Sequence, residues 1–597
     1  MYRTEYPRPD FERKDWLCLN GTWDFRFGQE AWQTIEVPFA YQTNLSGIHD
    51  NRLCDHITYR RTFTVPQGWE GKRIRMNFGA VDYEATVYIN GQMVGSHIGG
   101  SLGFSFDITD ELKGGEEEVV VEVYDPCLDE TIPRGKQFWV EHSAGIWYTR
   151  TSGIWQSVWI EPVSALSFEY IRFTPDIDRG MVEIEYQLTG EPEGASADFA
   201  ITFCPSDEVN TAELDPDSFP SIHVTAYPQL RHDKLSVDIF GQKIFRSYVH
   251  GKGVCWTPES PSLFEVNAVL LGEDALLDEV NTYFGMRKIH TADGVVFLNN
   301  RPYYQRLVLD QGYWPESLLT PPSDDAIQQD ILLAKEMGFN GCRKHQKTED
   351  PRFLYWADHI GYLVWEEIAS AIQFSADGVK RLENEWMEAF ARDYNHPSVV
   401  AWVVINESWA VPGIGYDKMQ QSLALALYYT MHALDSTRLV ISNDGWEMTK
   451  SDICAVHNYD HGNDNEKRKQ EFFSRLMNDY DTFINSFTAG RYLYGEGYEY
   501  NGEPILITEC GGIAFDLDSP GGWGYTTVNN EEDYVNQYDR VMSTIIRSDF
   551  IFGFCYTQLT DVEQEINGIL TYDRKPKCDL AKIKAVNEQW RHGNVLY

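Results

Sequence analysis

The hydrophobic pattern of the first 160 or so residues predicts strands. Apolar and polar positions alternate in 60–65, 85–90 and 118–124, which is typical of strands with one buried face. Asn90 and Gly91 separate two alternating runs and favour a hairpin with a type I′ turn, in which both central residues have positive φ. This part of the chain is therefore expected to form a two-sheet β-sandwich.

From about residue 163 to 284 the chain continues with short predicted strands, such as 181–187 and 263–271. Turns rich in proline and aspartate separate them. This pattern predicts a second, smaller β-sandwich.

Near residue 295 the pattern changes to strands that alternate with helices. Ser323 caps one predicted helix and Gly338 ends it, whereas Asp350 and Pro351 begin the next and Gly361 ends it. Eight strand–helix units predict a (β/α)8 TIM barrel, whose catalytic groups lie at the C-terminal ends of the strands. The eight predicted strands are 303–310, 339–345, 362–367, 398–407, 439–444, 452–459, 504–509 and 550–558.

Two of these strands end in a glutamate that is a candidate for catalysis. The apolar run 398–407 ends in Asn406 and Glu407, and 504–509 ends in Glu509. A carboxylate at the end of a buried strand is costly to desolvate unless it is paired or has a chemical task. Retaining glycoside hydrolysis needs such a pair, with carboxyl groups about 5–5.5 Å apart, one as nucleophile and one as general acid/base.

Other readings of these carboxylates remain open. Each glutamate could instead cap a loop or pair with a barrel arginine such as Arg343. Glu366 and Glu367, which end the third predicted strand, are rival candidates, and we expect them to orient or tune the site.

Charge and composition exclude several function classes. The formal net charge of −41 argues against nucleic-acid binding and against an anionic membrane surface. No run of 18 apolar residues suggests a membrane span. Ten scattered cysteines and a start without a signal-like apolar core favour a cytoplasmic location, although a chain trimmed of its signal would look the same. No metal or organic cofactor is expected.

The residues around both glutamates resemble glycoside hydrolase family 2, the family of β-galactosidases, β-glucuronidases and β-mannosidases. Six further segments carry the resemblance, in the order found in that family. They are 19–25 (LNGTWDF), 59–66 (YRRTFTVP), 85–91 (ATVYING), 151–162 (TSGIWQSVWIEP), 256–264 (WTPESPSLF) and 392–398 (RDYNHPS).

The resemblance implies three domains and the roles of three residues. Residues 1–162 would be a jelly-roll sugar-binding-like domain, 163–284 an immunoglobulin-like β-sandwich, and 285–597 the catalytic (β/α)8 barrel. Glu407 would be the acid/base, Glu509 the nucleophile, and Asn406 would bind the sugar 2-hydroxyl, a contact that strengthens in the oxocarbenium-like transition state.

Departures from the family pattern concern the sugar subsite. After the first barrel strand the galactosidase-type Asn-Arg-His-Glu is replaced by a sequence containing Asp310, which we expect to bind sugar hydroxyls, with a salt bridge to a residue such as Arg306 as the alternative. His345 belongs to the altered segment after the second strand, which lines the subsite in the family. The Asn-x-Lys signature of β-glucuronidases is not evident, although Lys344 or Lys347 could supply a positive charge.

Four further side chains are candidates for contact with the sugar. They are His457 and Tyr459 at the end of the sixth strand, Trp446 after the fifth, and Tyr556 on the eighth. For the first three, the alternative is an aromatic side chain that only packs against its neighbours or fills space in a loop.

The sequence therefore predicts a retaining exo-acting β-glycosidase whose substrate is an oligosaccharide or glycoside. β-D-Galactosides are expected first, with α-L-arabinosides (pyranoside or furanoside), uronides and β-glucosides as alternatives. A non-catalytic carbohydrate-binding protein is the alternative from another class, and a homo-oligomer is possible.

Overall fold

The computed structural model describes residues 3–206, 221–242, 253–273, 275–517 and 521–589. The first part is an antiparallel β-sandwich of two large sheets, as the alternating pattern predicts. In order across the sheets, the six-stranded sheet contains Gln33–Val37, Gly21–Phe27, His56–Thr64, Glu116–Tyr124, Glu84–Ile89 and Gln92–Ile98, and the four-stranded sheet contains Leu17–Cys18, Val158–Val163, Arg73–Phe78 and Phe104–Asp107.

Three smaller elements complete this part of the molecule. They are the strands Val81–Asp82 and Gly153–Ile154, which pair with each other, and the 3-10 helix Thr109–Glu111. The predicted hairpin turn is confirmed, because Asn90 has a φ of +51° and Gly91 a φ of +82°. The inward faces of the two large sheets meet in one apolar core.

A second antiparallel sandwich follows, with its own apolar core. Its three-stranded sheet contains Phe168–Asp176, Met181–Leu188 and His232–Asp238, and its four-stranded sheet contains Ile222–Ala226, Ser196–Cys204, Leu263–Leu271 and Leu276–Phe284. A small sheet of Ile289–Ala292, Val295–Leu298 and Arg301–Pro302 leads to the barrel.

The C-terminal part is a nearly closed barrel of eight parallel strands, so the predicted fold is confirmed. In chain order the barrel strands are Gln305–Asp310, Gly341–Lys344, Leu363–Glu367, Val399–Val403, Leu439–Ile441, Cys454–Asn458, Ile505–Gly511 and Ile551–Thr557. Between the fifth and sixth strands, single hydrogen bonds replace the continuous strand pairing. One of them runs from Asp452 N to Val440 O at 3.0 Å.

Helices surround the barrel and bury its outer face. They are Asp324–Glu336, Pro351–Ile360, Ala376–Asp393, Lys418–Leu434, Lys467–Leu476, Tyr480–Ile484, Glu531–Ile546 and Leu580–Asn587. The predicted boundaries of the first two are confirmed: Ser323 Oγ accepts from Ala326 N at 3.1 Å, and Gly361 follows the second helix with a φ of +79°. Short strand pairs join Phe487–Thr488 to Arg491–Tyr492 and Ile513–Phe515 to Thr526–Val528.

No helix in the described ranges has the length and apolar character needed to cross a membrane. All ten cysteines fall within these ranges, and each has a free thiol.

Candidate active site

The two glutamates predicted to be catalytic approach each other at the C-terminal mouth of the barrel. One carboxylate oxygen from Glu407, one from Glu509 and a ring nitrogen of His457 lie within 4.8 Å of one another. The Glu509 side chain is 6% exposed, whereas that of Glu407 is 21% exposed. Glu407 is therefore the carboxylate of the pair that solvent reaches more freely.

The fourth barrel strand is shorter than the sequence predicts. It ends at Val403, so the prediction that Glu407 belongs to the strand itself is wrong. Glu407 N still donates to Asp444 O at 2.9 Å, but Glu407 has a φ of +51°. A positive φ takes the residue out of the extended conformation, and in this conformation its carboxylate contacts His457.

Arg343 connects the nucleophile candidate to the rest of the site. Its guanidinium is fully buried and pairs with Glu509, with Glu367 at 2.7 Å and with Asp444 at 3.2 Å. Nη1 also donates to Asn406 Oδ1 at 3.2 Å. Burial opposes the charge, but the three carboxylates hold the pKa of Arg343 well above its usual value. Glu509 therefore pairs with Arg343, as the alternative proposed from the sequence has it, and also lies close to Glu407.

Glu367 has the contacts of a residue that orients others. Besides Arg343, its second oxygen accepts from Gln346 N at 3.0 Å. Burial raises the pKa of Glu367 to about 8. Glu366, one position earlier, points toward Asp393 and Arg392 instead, because successive residues of a strand face opposite sides.

A chain of hydrogen bonds fixes the amide of Asn406. His345 Nε2 lies 3.1 Å from Asn406 Nδ2, and His345 Nδ1 lies 2.9 Å from Gln311 Oε1. Burial, followed by the charge of Arg343, lowers the pKa of His345 well below its usual value, so the ring is neutral. Its Nδ1–H then donates to Gln311 and its Nε2 accepts from Asn406. This arrangement leaves one Asn406 N–H for a ligand hydroxyl.

His457 is held by three carboxylates. Nδ1 lies 2.9 Å from Glu407 and 3.5 Å from Glu509, and Nε2 lies 3.3 Å from Asp444. Burial lowers the pKa of His457, but Glu509 and Asp444 outweigh it and raise the value to about 10. His457 is therefore an imidazolium at neutral pH.

Glu509 also accepts a hydrogen bond from Tyr459, the residue that follows the sixth strand. Tyr459 OH donates to Glu509 Oε2 at 2.5 Å and lies 2.9 Å from Thr557 Oγ1. The Tyr459 ring stacks on Tyr525, with centroids 3.5 Å apart and planes at 2°. Tyr525 is 43% exposed, which leaves part of its ring free beside the two carboxylates.

The two glutamates differ in electrostatic environment. Burial raises the pKa of Glu509, and the negative charge of Glu407 adds to that effect. Burial also acts to raise the pKa of Glu407, but the hydrogen bond and charge of His457, with Lys136, bring it below its usual value. The pKa values of the two carboxyl groups are therefore shifted in opposite directions in the free site.

The structure contradicts the placement predicted for Tyr556. Its side chain is fully buried against the helix Glu531–Ile546, with its hydroxyl 3.4 Å from Tyr534 and its ring 4.8 Å from Tyr538. The neighbouring Thr557 faces the mouth. The strand alternation places Tyr556 on the outside of the barrel, so it cannot form the floor of a sugar subsite.

Asp310 and the nearby lysines form an ion-pair cluster. Lys344 Nζ lies 2.7 Å from both Asp310 Oδ2 and Glu349 Oε2, and Asp310 Oδ1 accepts from Gly312 N at 2.9 Å. Lys347 is held by Glu349 at 3.0 Å and by two backbone carbonyls. Asp310 is thus paired with Lys344 rather than with Arg306, and hydroxyl binding by Asp310 stays a prediction.

Trp446 packs against the site more than it opens to it. It is 9% exposed, and its ring meets His457 edge-on with centroids 5.7 Å apart. Its indole N–H has no hydrogen-bond partner within the described part of the chain. The ring contact with His457 supports the alternative in which Trp446 only fills space beside the loop. A contact between its indole N–H and a sugar stays a prediction.

A loop of the N-terminal sandwich reaches the barrel mouth, which the hydrophobic pattern does not predict. Tyr148 OH donates to Glu565 Oε2 at 2.7 Å, and Trp523 Nε1 donates to Gly145 O at 2.7 Å. Lys136 on the same loop is close enough for its charge to lower the pKa of Glu407.

Asp444 is a further residue of the site that was absent from the sequence predictions. It ends the predicted strand 439–444, so the rule that catalytic groups lie at strand ends could have identified it.

Glu407, His457 and Glu509 are residue types that can hold a metal ion. A metal ligand must be deprotonated, whereas His457 is an imidazolium and its Nδ1 bonds Glu407. Glu509 already accepts from Arg343 and Tyr459. The donor set fits a metal poorly, and the absence of a metal requirement stays a prediction.

Comparison with known proteins gives several curated relatives. A β-galactosidase of Thermoanaerobacter pseudethanolicus is 26% identical over 406 residues, which are 66% of this chain and 51% of that protein. A β-glucuronidase of Streptococcus agalactiae is 23% identical over 429 residues, 65% of this chain and 66% of that protein. The chain spans about half the length of the first curated relatives it matches, at 51% and 47%.

Solved structures share the fold over the whole chain. A Bifidobacterium dentium β-glucuronidase complexed with coumarin-3-O-glucuronide has a TM-score of 0.76 at 19% identity and covers 98% of both chains. A family 2 β-galacturonidase from Eisenbergiella tayi bound to glycerol has a TM-score of 0.71 at 20% identity, with 100% of both chains covered.

Two family profiles match more than two thirds of the chain between them. The sugar binding domain of glycosyl hydrolases family 2 matches residues 15–160, and the TIM barrel domain of the same family matches residues 321–591. Together with the barrel and the placement of Glu407 and Glu509 at its mouth, these matches show that the chain belongs to glycosyl hydrolases family 2.

Proposed function

We propose that the protein is a retaining exo-acting β-glycosidase, with Glu509 as nucleophile and Glu407 as general acid/base. The observation that carries this proposal is the pair of carboxylate oxygens within 4.8 Å at the barrel mouth. Retaining enzymes hold their carboxyl groups about 5–5.5 Å apart, whereas inverting enzymes need about 6.5–9.5 Å to admit a water molecule. The short separation therefore favours a covalent intermediate.

In the first step, a Glu509 oxygen bonds to the anomeric carbon while the bond to the leaving oxygen breaks. Glu407 gives that oxygen its proton, so a neutral alcohol leaves. In the second step, Glu407 takes a proton from water, the water oxygen bonds to the anomeric carbon, and Glu509 leaves as a carboxylate. Arg343 and Tyr459 donate to Glu509 and stabilise it whenever it is anionic.

This cycle needs a protonated Glu407 and an ionised Glu509 when substrate is bound, which is opposite to the directions of the two pKa shifts in the free site. His457 can make the change, because its Nδ1 is 2.9 Å from Glu407 and 3.5 Å from Glu509. A glycosidic oxygen placed against Glu407 replaces the His457 contact there, and His457 then bonds Glu509. Both changes favour an ionised Glu509 and a protonated Glu407, since the two carboxylates titrate as one unit.

For the released sugar we propose β-D-galactose first, with α-L-arabinopyranose as the closest alternative because it shares the ring configuration. The named relatives support a β-uronide as the second candidate, since they include β-glucuronidases and a β-galacturonidase. Lys344 and Lys347 do not favour a uronide, because each is already paired with Glu349.

A panel of nitrophenyl pyranosides, furanosides and uronides tests the proposal, with the anomer of the first product followed by proton NMR. We expect one sugar to be hydrolysed well and to appear first as the anomer present in the substrate. Release of the opposite anomer would overturn the retaining mechanism. Sugar binding without any hydrolysis across the panel would support a non-catalytic carbohydrate-binding protein instead.

A further inference from the structure

Lys136 is held over the barrel by a loop of the N-terminal sandwich. Arg134 N and Gly135 N donate to Ser370 O at 3.2 and 3.1 Å. Gly135 has a φ of +58°, and a Cβ there would lie 2.1 Å from Gln346 O. Only glycine allows the two backbones to approach this closely, so the position of Lys136 relative to the barrel is fixed by tight packing.

The side chain of Lys136 is largely buried, and its ammonium has no counter-ion among the described residues. The residue is 9% exposed, and within the described ranges no carboxylate oxygen lies within 4.0 Å of its Nζ and no hydrogen bond from Nζ is formed. Nζ lies 5.3 Å from the ring centroid of Tyr148 and 5.9 Å from that of Trp147. By contrast, the buried Lys344 and Lys347 at the same mouth each have a carboxylate partner.

The ammonium therefore has N–H groups for which the described part of the protein supplies no acceptor. Holding a charge among largely buried side chains without a counter-ion is unfavourable, and cation–π contact with two rings offsets this only in part. An anion that bonds Nζ directly would remove this cost, because an N⁺–H···O⁻ hydrogen bond is about twice as strong as a neutral one.

The surroundings place Lys136 on the leaving-group side of the site. Its charge acts on both Glu407 and His345. Trp147, under the ammonium, meets Trp409 edge-on with centroids 5.2 Å apart, and Trp409 follows Glu407 by two residues. Since Glu407 is the group proposed to protonate the leaving oxygen, the part of the substrate beyond that oxygen extends toward these side chains.

We propose that Lys136 binds an anionic group, a carboxylate, on the leaving-group part of the glycoside, while Trp147 and Trp409 pack against the ring that carries it. The natural substrates would then be glycosides of acidic sugars or of aromatic acids. This inference rests on the proposed glycosidase function. A local cation of this kind also offsets the repulsion that a protein with a net charge of −41 exerts on an acidic substrate.

Two aryl glycosides of the sugar preferred in the panel provide the test: the 4-carboxyphenyl glycoside and its neutral 4-carboxamidophenyl counterpart. The readout is the ratio of kcat/KM for the acid to that for the amide. Lys136→Met should lower this ratio about 10- to 100-fold, the range expected for one charged hydrogen bond. Lys136→Arg should keep most of the ratio. Lys113→Met is the matched control, since it removes an exposed lysine from the same domain and should leave the ratio unchanged.

Wild-type protein offers a second measurement that does not depend on the folding of a variant. Raising salt from low to about 0.5 M should increase KM for the acid several-fold more than KM for the amide, because salt screens charge pairs. Equal salt dependence, or an unchanged ratio in Lys136→Met, would overturn the proposal. If Lys136→Met instead selectively lost a preference for uronic acid as the released sugar, the leaving-group placement would be wrong. Failure of the wild type on every glycoside would refute the glycosidase function itself.

Discussion

A carboxyl oxygen of Glu367 lies 2.7 Å from Arg343 Nη1, and the two side chains are 1% and 0% exposed. Arg343 in turn contacts the nucleophile candidate Glu509 and the amide of Asn406. Glu367 is therefore a positioning residue, which acts on the substrate through the groups that Arg343 holds.

Replacing Glu367 tests this positioning role. Glu367→Gln should lower kcat by at least tenfold and destabilise the fold by about 1–3 kcal/mol, because an amide NH2 cannot accept a hydrogen bond, whereas the two carboxyl oxygens of Glu367 accept from Arg343 and from Gln346 N. Glu366→Gln is the matched control, since Glu366 faces the helices rather than the mouth. Steady-state kinetics per folded molecule should show little loss in the control. Equal kinetic losses in both variants would contradict the role given to Glu367.

The charge of His457 gives a stability difference that depends on pH. Its pKa is raised from 6.5 to about 10 in the folded protein, with burial opposed by Glu509 and Asp444. A raised pKa stabilises the fold fully below the unfolded value and loses that effect as pH rises through the folded value. Relative to His457→Asn, the wild type should therefore gain most below about pH 6.5 and progressively less toward pH 10.

Urea unfolding of both proteins at several pH values between 6 and 10 measures this difference. If His457 were neutral, the difference in free energy of unfolding between the wild type and His457→Asn would not decrease between pH 6 and pH 10. A difference that increased with pH would also contradict a charged His457.

Tyr459 and Tyr556, both predicted from the sequence to contact the sugar, should behave differently when replaced by phenylalanine. Tyr459→Phe removes a donor to Glu509 and should reduce kcat/KM by about 10- to 100-fold, the range for a hydrogen bond to a charged group. Tyr556→Phe loses only a 3.4 Å contact with Tyr534 behind the barrel, so its kcat/KM should stay within about twofold. The test is to measure kcat/KM for both variants. A larger loss of kcat/KM in Tyr556→Phe than in Tyr459→Phe would contradict the position of Tyr556 behind the barrel.

Removing the acid/base should leave an activity that small anions restore. Glu407→Ala should hydrolyse substrates with very good leaving groups, which need little protonation, and fail on poor ones. Azide should accelerate it by attacking the covalent intermediate directly, giving a glycosyl azide of retained configuration. A Glu407→Ala variant as active as wild type on poor leaving groups would show that the acid is another residue.

The barrel and its carboxylates could be predicted from the sequence because strand ends obey a simple rule. In a (β/α)8 barrel every strand delivers its last residues to one face, so Glu407 and Glu509 had to converge once the strands were counted. The same rule applied to Asp444 would have found the partner of Arg343 and His457. The end of the fourth strand was misjudged because the apolar run continues to Ile405, while the backbone leaves the ladder after Val403.

Other parts of the site depend on information that a hydrophobic pattern does not contain. Tyr556 was misplaced because the two faces of a fully buried strand are both apolar, so the pattern does not say which face points inward. Tyr525 and Lys136 lie on loops, whose positions follow from packing against other parts of the molecule. Asp310 had several basic residues as possible partners, and only the fold selects Lys344.

The most direct test of the account is to trap the glycosyl-enzyme intermediate. Incubation with a 2-deoxy-2-fluoro glycoside of the preferred sugar, bearing a good leaving group, should add the mass of one fluorosugar to the protein, because fluorine slows hydrolysis of the intermediate more than it hinders trapping with an activated leaving group. Peptide mass spectrometry should locate the label on Glu509, and Glu509→Gln should acquire none. A label on Glu407 or Glu367, or hydrolysis with no trapped intermediate and an inverted product, would contradict the retaining mechanism and the roles proposed for the two glutamates.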